Sequence, residues 1–449
     1  MAVMDLAGVP VVVMGLGRFG GGIGVTRWLI EQGARVTVTD QADANDLAAS
    51  IGQLQGLPAT FHLGGHLMSD LDGCRLLVVS PAVPKEKSDF VQAAIARDIP
   101  LTSEMNLFVE RCPARRVVGI TGSAGKSTTT AMIGAILEAA YAGRSGPRTW
   151  VGGNIGRSLL SDLPAMQPQD MVVLELSSFQ LEDLASLQWS PSHAVITNIT
   201  PNHLDRHIFM EVYREAKLNI VRFQKPDGLV LVSERDVELA KYIVAAGAGQ
   251  RLRMFAFEPA YKGMLHVPGG HNQDNAAAAI AVARSLGIAD EWIRKGLAGF
   301  RGLPHRLEYV ATRRGVRYYN DSKSTTPASA HLALESFDEP VVMLIGGRDK
   351  GMSFEALTHL LAERARGVVC YGEMGEKLYQ EVCGHLHGAS PAGRVERAGP
   401  LQEAVAKAAA MSRPGDVVAL SPACTSYDQF ANYEQRGETF AQLVRALPD

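Results

Sequence analysis

An alternation repeated along all 449 residues restricts the fold most: short β-branched runs end in glycine and are followed by longer Ala- and Leu-rich stretches. Parallel strands read as near-continuous apolar runs because helices cover both faces of their sheet, and each parallel pairing needs a long, usually helical, crossover. Three such blocks are legible. The first has strands at residues 11–14, 35–40 and 76–80, with a helix at 25–32. The second begins near Met105, with strands at 117–120, 171–174 and 194–196. The third begins near Leu303, with strands at 341–345, 368–370 and 417–420. The expectation is a multidomain α/β protein built on mostly parallel sheets.

Composition narrows the partners. A formal net charge of -3 without a concentrated Lys/Arg run lacks the electrostatic footprint that nucleic acid requires, so small-molecule partners are expected. No run approaches the ~18 apolar residues of a membrane span, so no membrane insertion is expected. The five cysteines form no CxxC pair, which argues against a disulfide framework or a zinc cage and fits a reducing cytoplasm. A monomer is expected.

Gly122-Ser123-Ala124-Gly125-Lys126-Ser127-Thr128 lies between an apolar strand and a helix-forming run. A glycine turn feeding a helix N-terminus exposes backbone amides that cradle phosphate oxygens. Lys126 would neutralise the β- and γ-phosphates, and Ser127 would offer its hydroxyl to Mg²⁺. Glu175 ends the strand at 171–174, where a carboxylate can reach the phosphate side as a metal ligand. His203, with Asp205, Arg206 and His207, follows another apolar strand, and the cluster can bind metal and anion or serve structure.

Near the N-terminus, Gly15-Leu16-Gly17-Arg18-Phe19-Gly20 satisfies the G-x-G-x-x-G pattern, and Asp40 closes the next strand at the spacing of a ribose-binding acid. Taken alone, this turn fits a dinucleotide site or a packing turn. With a second phosphate loop in the chain, a nucleotide-bearing substrate would occupy the first loop and ATP the second. The third block adds 321–325, 346–350 and 421–426, where lysines and hydroxyls beside strand ends can hold carboxylates. Cys424 has no activating histidine motif and reads as packing.

Several motifs occur in order: Gly122 to Thr128, Gly152-Gly153-Asn154-Ile155-Gly156, Leu174-Glu175-Leu176-Ser177-Ser178-Phe179-Gln180-Leu181 and Asn202-His203-Leu204-Asp205-Arg206-His207. They continue with His271-Asn272 and Asn275, Leu303-Pro304-His305-Arg306, Asn320-Asp321-Ser322-Lys323, and 420–430. Together they resemble the Mur ligases over nearly the full length, most closely the branch that adds D-glutamate to UDP-N-acetylmuramoyl-L-alanine. The resemblance implies three domains: a Rossmann-like uridine-nucleotide domain (1–105), a central phosphate-loop ATPase (106–303) and a Rossmann-like glutamate domain (304–449). It implies ATP and Mg²⁺ as cofactors and an acyl-phosphate path of peptidoglycan synthesis.

Carried over by motif, Lys126 contacts ATP phosphates, while Ser127, Glu175 and His203 help hold Mg²⁺. Lys217 matches a lysine that is carbamylated and bridges a second metal. Asn272 and Asn275 serve adenine, and Arg306 and Asp321 serve the nucleotide. The sugar-nucleotide side falls to Asn154 with Gly15, Gly17, Asp40 and Ser80. Glutamate falls to Thr325, Lys350 and Ser426, with Lys323 and Tyr433 beside them. Departures from the family pattern at Ser123-Ala124, 18–21 and Gln41-Ala42 leave the uridine contacts open, and those at 324–326 and Tyr433 leave glutamate's handedness open. L-glutamate or another amino acid is the alternative acceptor. A distant alternative, from the first glycine turn and Asp40 alone, is an NAD-dependent dehydrogenase.

Overall fold

A computed structural model describes residues 4–17, 20–143, 146–349, 351–386 and 394–449. The chain is α/β, with three sheets, as the alternation predicts. The first contains β1 (Pro10–Met14), β2 (Arg35–Asp40), β3 (Ala59–Leu63), β4 (Leu76–Val79) and β5 (Leu101–Thr102), in the order β3-β2-β1-β4-β5 and parallel throughout. The second contains β6 (Arg116–Thr121), β7 (Thr149–Gly153), β8 (Met171–Glu175), β9 (His193–Ile196), β10 (Leu229–Ser233) and β11 (Leu252–Phe255), in the order β11-β10-β9-β6-β8-β7 and again parallel. The third contains β12 (Glu308–Arg313), β13 (Val316–Asn320), β14 (Val341–Gly346), β15 (Gly367–Tyr371), β16 (Val395–Ala398) and β17 (Val417–Ala423). Its order is β12-β13-β17-β14-β15-β16, with only the β12–β13 pair antiparallel.

Two compact units hold these sheets. Met1–Glu258 with Asp274–Gly296 carries the first two sheets, and Pro259–Gln273 with Leu297–Asp449 carries the third. Within the first unit a continuous apolar cluster includes Trp28 and Leu29 from the helix Gly21–Glu31 together with Leu159, Leu160, Val172 and Leu174. Polar links join the same two sheets' surroundings: Lys85 pairs with Asp183, Ser158 hydrogen-bonds Glu104, and Arg206 donates to the carbonyls of Ala82 (2.9 Å) and Val83 (2.8 Å).

The third sheet shows why its strands read as unbroken apolar runs. Val341, Met343 and Ile345 of β14 join one core cluster with Val417 and Ala419 of β17, whereas Val342 and Leu344 join another with Val418 and Leu420. Successive side chains point to opposite faces, and both faces are covered.

In each of the first two sheets the first strand lies between neighbours reached by crossovers in opposite directions, which opens a crevice beyond the strands' carboxyl ends. In the first sheet that crevice lies at the ends of β1, β2 and β4. In the second it lies at the ends of β6, β8 and β9. The helix after β1 begins at Gly21, four residues before the sequence reading placed it, because left-handed Gly20 (φ 89°) turns the chain directly into it.

A local strain sits just after Arg206 and His207. Ile208 adopts φ 64° and is 62% exposed. A β-branched residue in left-handed backbone is strained, and this one gains little burial in return. Ile208→Gly should therefore raise unfolding free energy by about 1 kcal/mol. A urea titration checks this; an unchanged or lowered midpoint would show that the backbone here stores no strain.

Candidate functional site

The central crevice is built around the glycine turn after β6. Gly122 (φ 148°) and Gly125 (φ 83°) take conformations that a side chain disfavours, and a Cβ on either would collide, with the Thr197 hydroxyl or the Asn275 amide oxygen respectively. Gly125 opens the helix Lys126–Tyr141 without a side-chain cap, so no capping side chain claims the first-turn amides. Asn198, just past β9, braces the turn: its Oδ1 accepts from the Ala124 amide (3.0 Å) and its Nδ2 donates to the Ala124 carbonyl (3.1 Å). The Ser123 hydroxyl donates to the Thr200 carbonyl at 2.8 Å and meets the Tyr213 hydroxyl at 3.1 Å.

Two lysines meet on one carbonyl oxygen of this turn. Lys126 Nζ donates to Gly122 O at 2.9 Å and to Ser123 O at 3.2 Å. Lys217 Nζ, from the helix Met210–Arg222, donates to the same Gly122 O at 2.8 Å. Lys217 is 2% exposed, and its amine also lies 4.6 Å from the centre of the Tyr213 ring. Burial, reinforced by the neighbouring Lys126 charge and opposed by Glu175, pulls its pKa down to about 7.

Glu175 is buried at the end of β8. Its Oε1 accepts from Asn154 Nδ2 at 2.9 Å, while its Oε2 has no hydrogen-bond partner among the described residues. An orphaned buried carboxylate oxygen is costly unless another ligand completes it. No group of three or more His, Cys, Asp or Glu side chains suited to a metal occurs among the described residues. The open Glu175 oxygen fits Mg²⁺, which commonly takes one or two carboxylates and completes its shell with waters and substrate phosphates.

His203 (φ 53°) lies edge-on to Phe179 at 5.3 Å between ring centres and 6.3 Å from Tyr213. Phe179 also stacks on His207 (5.2 Å) and carries the Arg206 guanidinium at 4.7 Å. Ser127 and Thr128 stand half-buried in the first helical turn. Asn275 receives the Thr129 hydroxyl at 3.2 Å and thus abuts the glycine turn. In the first sheet's crevice, Asp40 accepts from the Gly17 amide (3.1 Å) and the Ala42 amide (2.9 Å), while Gly15 packs against Ser80.

The second unit has a cavity of about 510 Å³ lined by His271, Arg306, Asp321, Lys323 and the helix Pro327–Glu335. Asp321 takes hydrogen bonds from the Leu307 amide (3.2 Å) and the Ser421 hydroxyl (2.7 Å), and burial raises its carboxyl pKa to about 7. Asn272 donates to Pro268 O at 2.6 Å. Lys323 stands over the Tyr433 ring at 5.7 Å, while Thr325 and Ser426 lie in neighbouring loops, half-buried and buried. Lys350, Arg18 and the Asp205 side chain lie outside the described residues.

Asn198, Tyr213 and the buried Arg436 escaped sequence reading. Asn198 had a usable signal, an amide directly after an apolar strand beside a glycine turn. Tyr213 had none, since one aromatic on an amphipathic helix reads as core.

Comparison with known proteins agrees with this geometry. The Mur ligase MurD-like N-terminal domain matches residues 9–103, the Mur ligase middle domain 120–261, and the Mur ligase glutamate ligase domain 305–424. A UDP-N-acetylmuramoylalanine--D-glutamate ligase of Roseiflexus sp. (strain RS-1) is 39% identical over 99% of this chain and 100% of its own length. Another of that name from Anaeromyxobacter dehalogenans is 38% identical over 99% of each. Among solved structures, the UDP-N-acetylmuramate-alanine ligase MurC of Thermotoga maritima shares the fold with a TM-score of 0.56 at 21% identity, covering 97% of this chain and 99% of its own. The MurF ligase of the same organism, in complex with ADP, does so at 0.51 and 17%, covering 99% of each. Alike across all three sheets, and more than a third identical to relatives from end to end, the chain belongs to the Mur ligase family.

Proposed function

We propose that this chain is a cytoplasmic, ATP-dependent ligase that joins D-glutamate to UDP-N-acetylmuramoyl-L-alanine in peptidoglycan synthesis. The observation that carries the reaction class is the convergence of Lys126, Lys217 and the orphaned Glu175 oxygen on an uncapped glycine turn. The acceptor and donor follow the names of relatives matched along their whole length. In this reading residues 1–105 take the uridine nucleotide at Gly15, Gly17, Asp40 and Ser80, residues 106–303 take ATP, and residues 304–449 take glutamate.

A carboxylate is a poor acyl electrophile, because attack adds charge to an already anionic centre. Transfer of ATP's γ-phosphoryl group to the alanyl carboxylate gives an acyl phosphate and ADP. Glutamate's amine then attacks the carbonyl carbon, and the C–O bond to phosphate breaks, so that phosphate leaves with the proton the amine gives up and an amide remains. The Gly122–Thr128 amides and Lys126 would hold the phosphates and offset charge during transfer. Asn275 supports that loop, Asn154 orients Glu175, and Arg306, Asp321 and Asn272 line the nucleotide side. Thr325, Lys350, Ser426, Lys323 and Tyr433 would hold the amino acid. Ser127, Glu175, His203 and carbamylated Lys217 would hold Mg²⁺, which when bound supplies positive charge to the transferring phosphoryl group.

Three outcomes test this reading. Phosphate release with the sugar nucleotide, ATP and Mg²⁺ should depend on D-glutamate and not on L-glutamate; the reverse preference would move the assignment to the other enantiomer. Lys126→Ala should lower turnover by at least about a hundredfold, the scale of losing one charge-stabilising group at a transition state, with an unchanged far-ultraviolet circular dichroism spectrum. Near-normal turnover in that variant would reject the phosphate role. A carbamate forms on an uncharged amine, and Lys217 becomes uncharged as pH rises through about 7. Labelling with ¹³C-bicarbonate at pH 8 should therefore give a carbamate resonance that weakens below pH 7 and is missing in Lys217→Met. A spectrum identical in both proteins would eliminate the modification.

A further inference from the structure

The third domain buries a charge that the reaction above leaves unused. Arg436, on the helix Tyr433–Arg445, is 0% exposed, and arginine does not shed its proton in proteins. Its Nε donates to Ser322 Oγ (2.9 Å), its Nη1 to the carbonyls of Cys424 (3.1 Å) and Thr425 (3.1 Å), and its Nη2 to the carbonyls of Ser322 (2.8 Å) and Cys424 (3.2 Å). These acceptors are all neutral oxygens. No carboxylate of the described residues forms an ion pair with it, and the nearby Asp428 instead accepts from the Glu373 amide.

Those oxygens belong to loops at the carboxyl ends of β13 and β17. A third loop, after β14, is pressed onto the same guanidinium: a Cβ on Gly347 would stand 3.2 Å from Nη1, and Arg348 and Thr425 exchange backbone hydrogen bonds at 3.0 Å in both directions. The Ser322 hydroxyl passes the contact on to the Tyr433 carbonyl at 2.8 Å. One cation therefore underlies the three loops that carry Lys323 and Thr325, the turn 346–349, and Ser426. The Thr425 carbonyl turns inward to Arg436, so in a planar trans peptide the Ser426 amide faces the opposite way.

We propose that Arg436 is the positioning residue of the amino-acid site: its hydrogen bonds fix the three loops around the acceptor. This rests on the reading of the third domain as the glutamate domain. The test uses the full chain with Arg436→Gln and Arg436→Lys, first checked for folding by circular dichroism, and measures KM separately for D-glutamate, ATP and the sugar nucleotide. Arg436→Gln should raise the glutamate KM by about tenfold, the scale of one lost charge-assisted contact, with the other two KM values within about twofold. Arg436→Lys, which keeps the charge and loses the fork, should fall between Gln and wild type. Ser322→Ala, which breaks the link from Arg436 to Tyr433, should move the glutamate KM in the same direction and carries the test if the Arg436 variants unfold. An unchanged glutamate KM in the folded variants, or all three KM values rising together, overturns the proposal. A wild-type chain that does not use glutamate defeats the functional reading instead, whereas variants indistinguishable from an active wild type defeat only this inference.

Discussion

Two ammonium groups share the Gly122 carbonyl, and the central crevice is organised by the conflict this creates. Like charges so close, with one of them buried, cannot both stay charged without compensation. Lys126 remains on the rim of the turn where its charge can face phosphate. Lys217, enclosed against Tyr213 and the end of β6, is the partner whose proton is loosened. The orphaned oxygen of Glu175 supplies the opposite imbalance a short way along the same sheet edge. In the function proposed above, the open Glu175 oxygen would be completed by a bound cation and the Lys126 charge would face phosphate. The site thus holds two crowded cations beside one carboxylate oxygen with no hydrogen-bond partner among the described residues.

Such an arrangement needs a rigid frame, and the parallel sheets provide it. β6 is central in its sheet and buried on both faces, so its carboxyl end moves little relative to β8 and β9. Asn198 and Thr200 then secure the turn from the neighbouring strand's end with hydrogen bonds to Ser123 and Ala124. That bracing also accounts for Ser123 and Ala124 in a loop whose work is done by backbone groups: one supplies a hydroxyl to Thr200 and Tyr213, and the other presents only its peptide.

What was legible in the sequence follows from this division. Central strands such as β6, β8, β14 and β17 show as apolar runs because both faces are covered, and glycine turns show because a Cβ would collide. Edge strands were harder: β3 and β11 mix polar with apolar residues, and the β12–β13 pair, rich in Glu, Arg and Tyr, lacks a simple period. The convergence of Gly15, Asp40 and Ser80 depends on a strand order that brings β2 and β4 to either side of β1, which no local pattern encodes. Lys217 reads from periodicity as a solvated helix residue; only tertiary packing buries it.

Lys217 and Arg436 show two solutions to burying a cation. A lysine can lose its proton, so burial converts it into a nucleophilic amine and the structure need not satisfy a full charge. An arginine has no such exit at physiological pH, and its planar fork must find oxygens for its N–H groups. Arg436 finds them in Ser322, Cys424 and Thr425, which draws residues far apart in sequence into one rigid set. These acceptors are dipoles, so the guanidinium is solvated by the loops it holds. The same family fold thereby places an amine of adjustable charge beneath its phosphate turn and a permanent cation beneath the loops of its third domain, and the chemistry proposed for each place requires that difference.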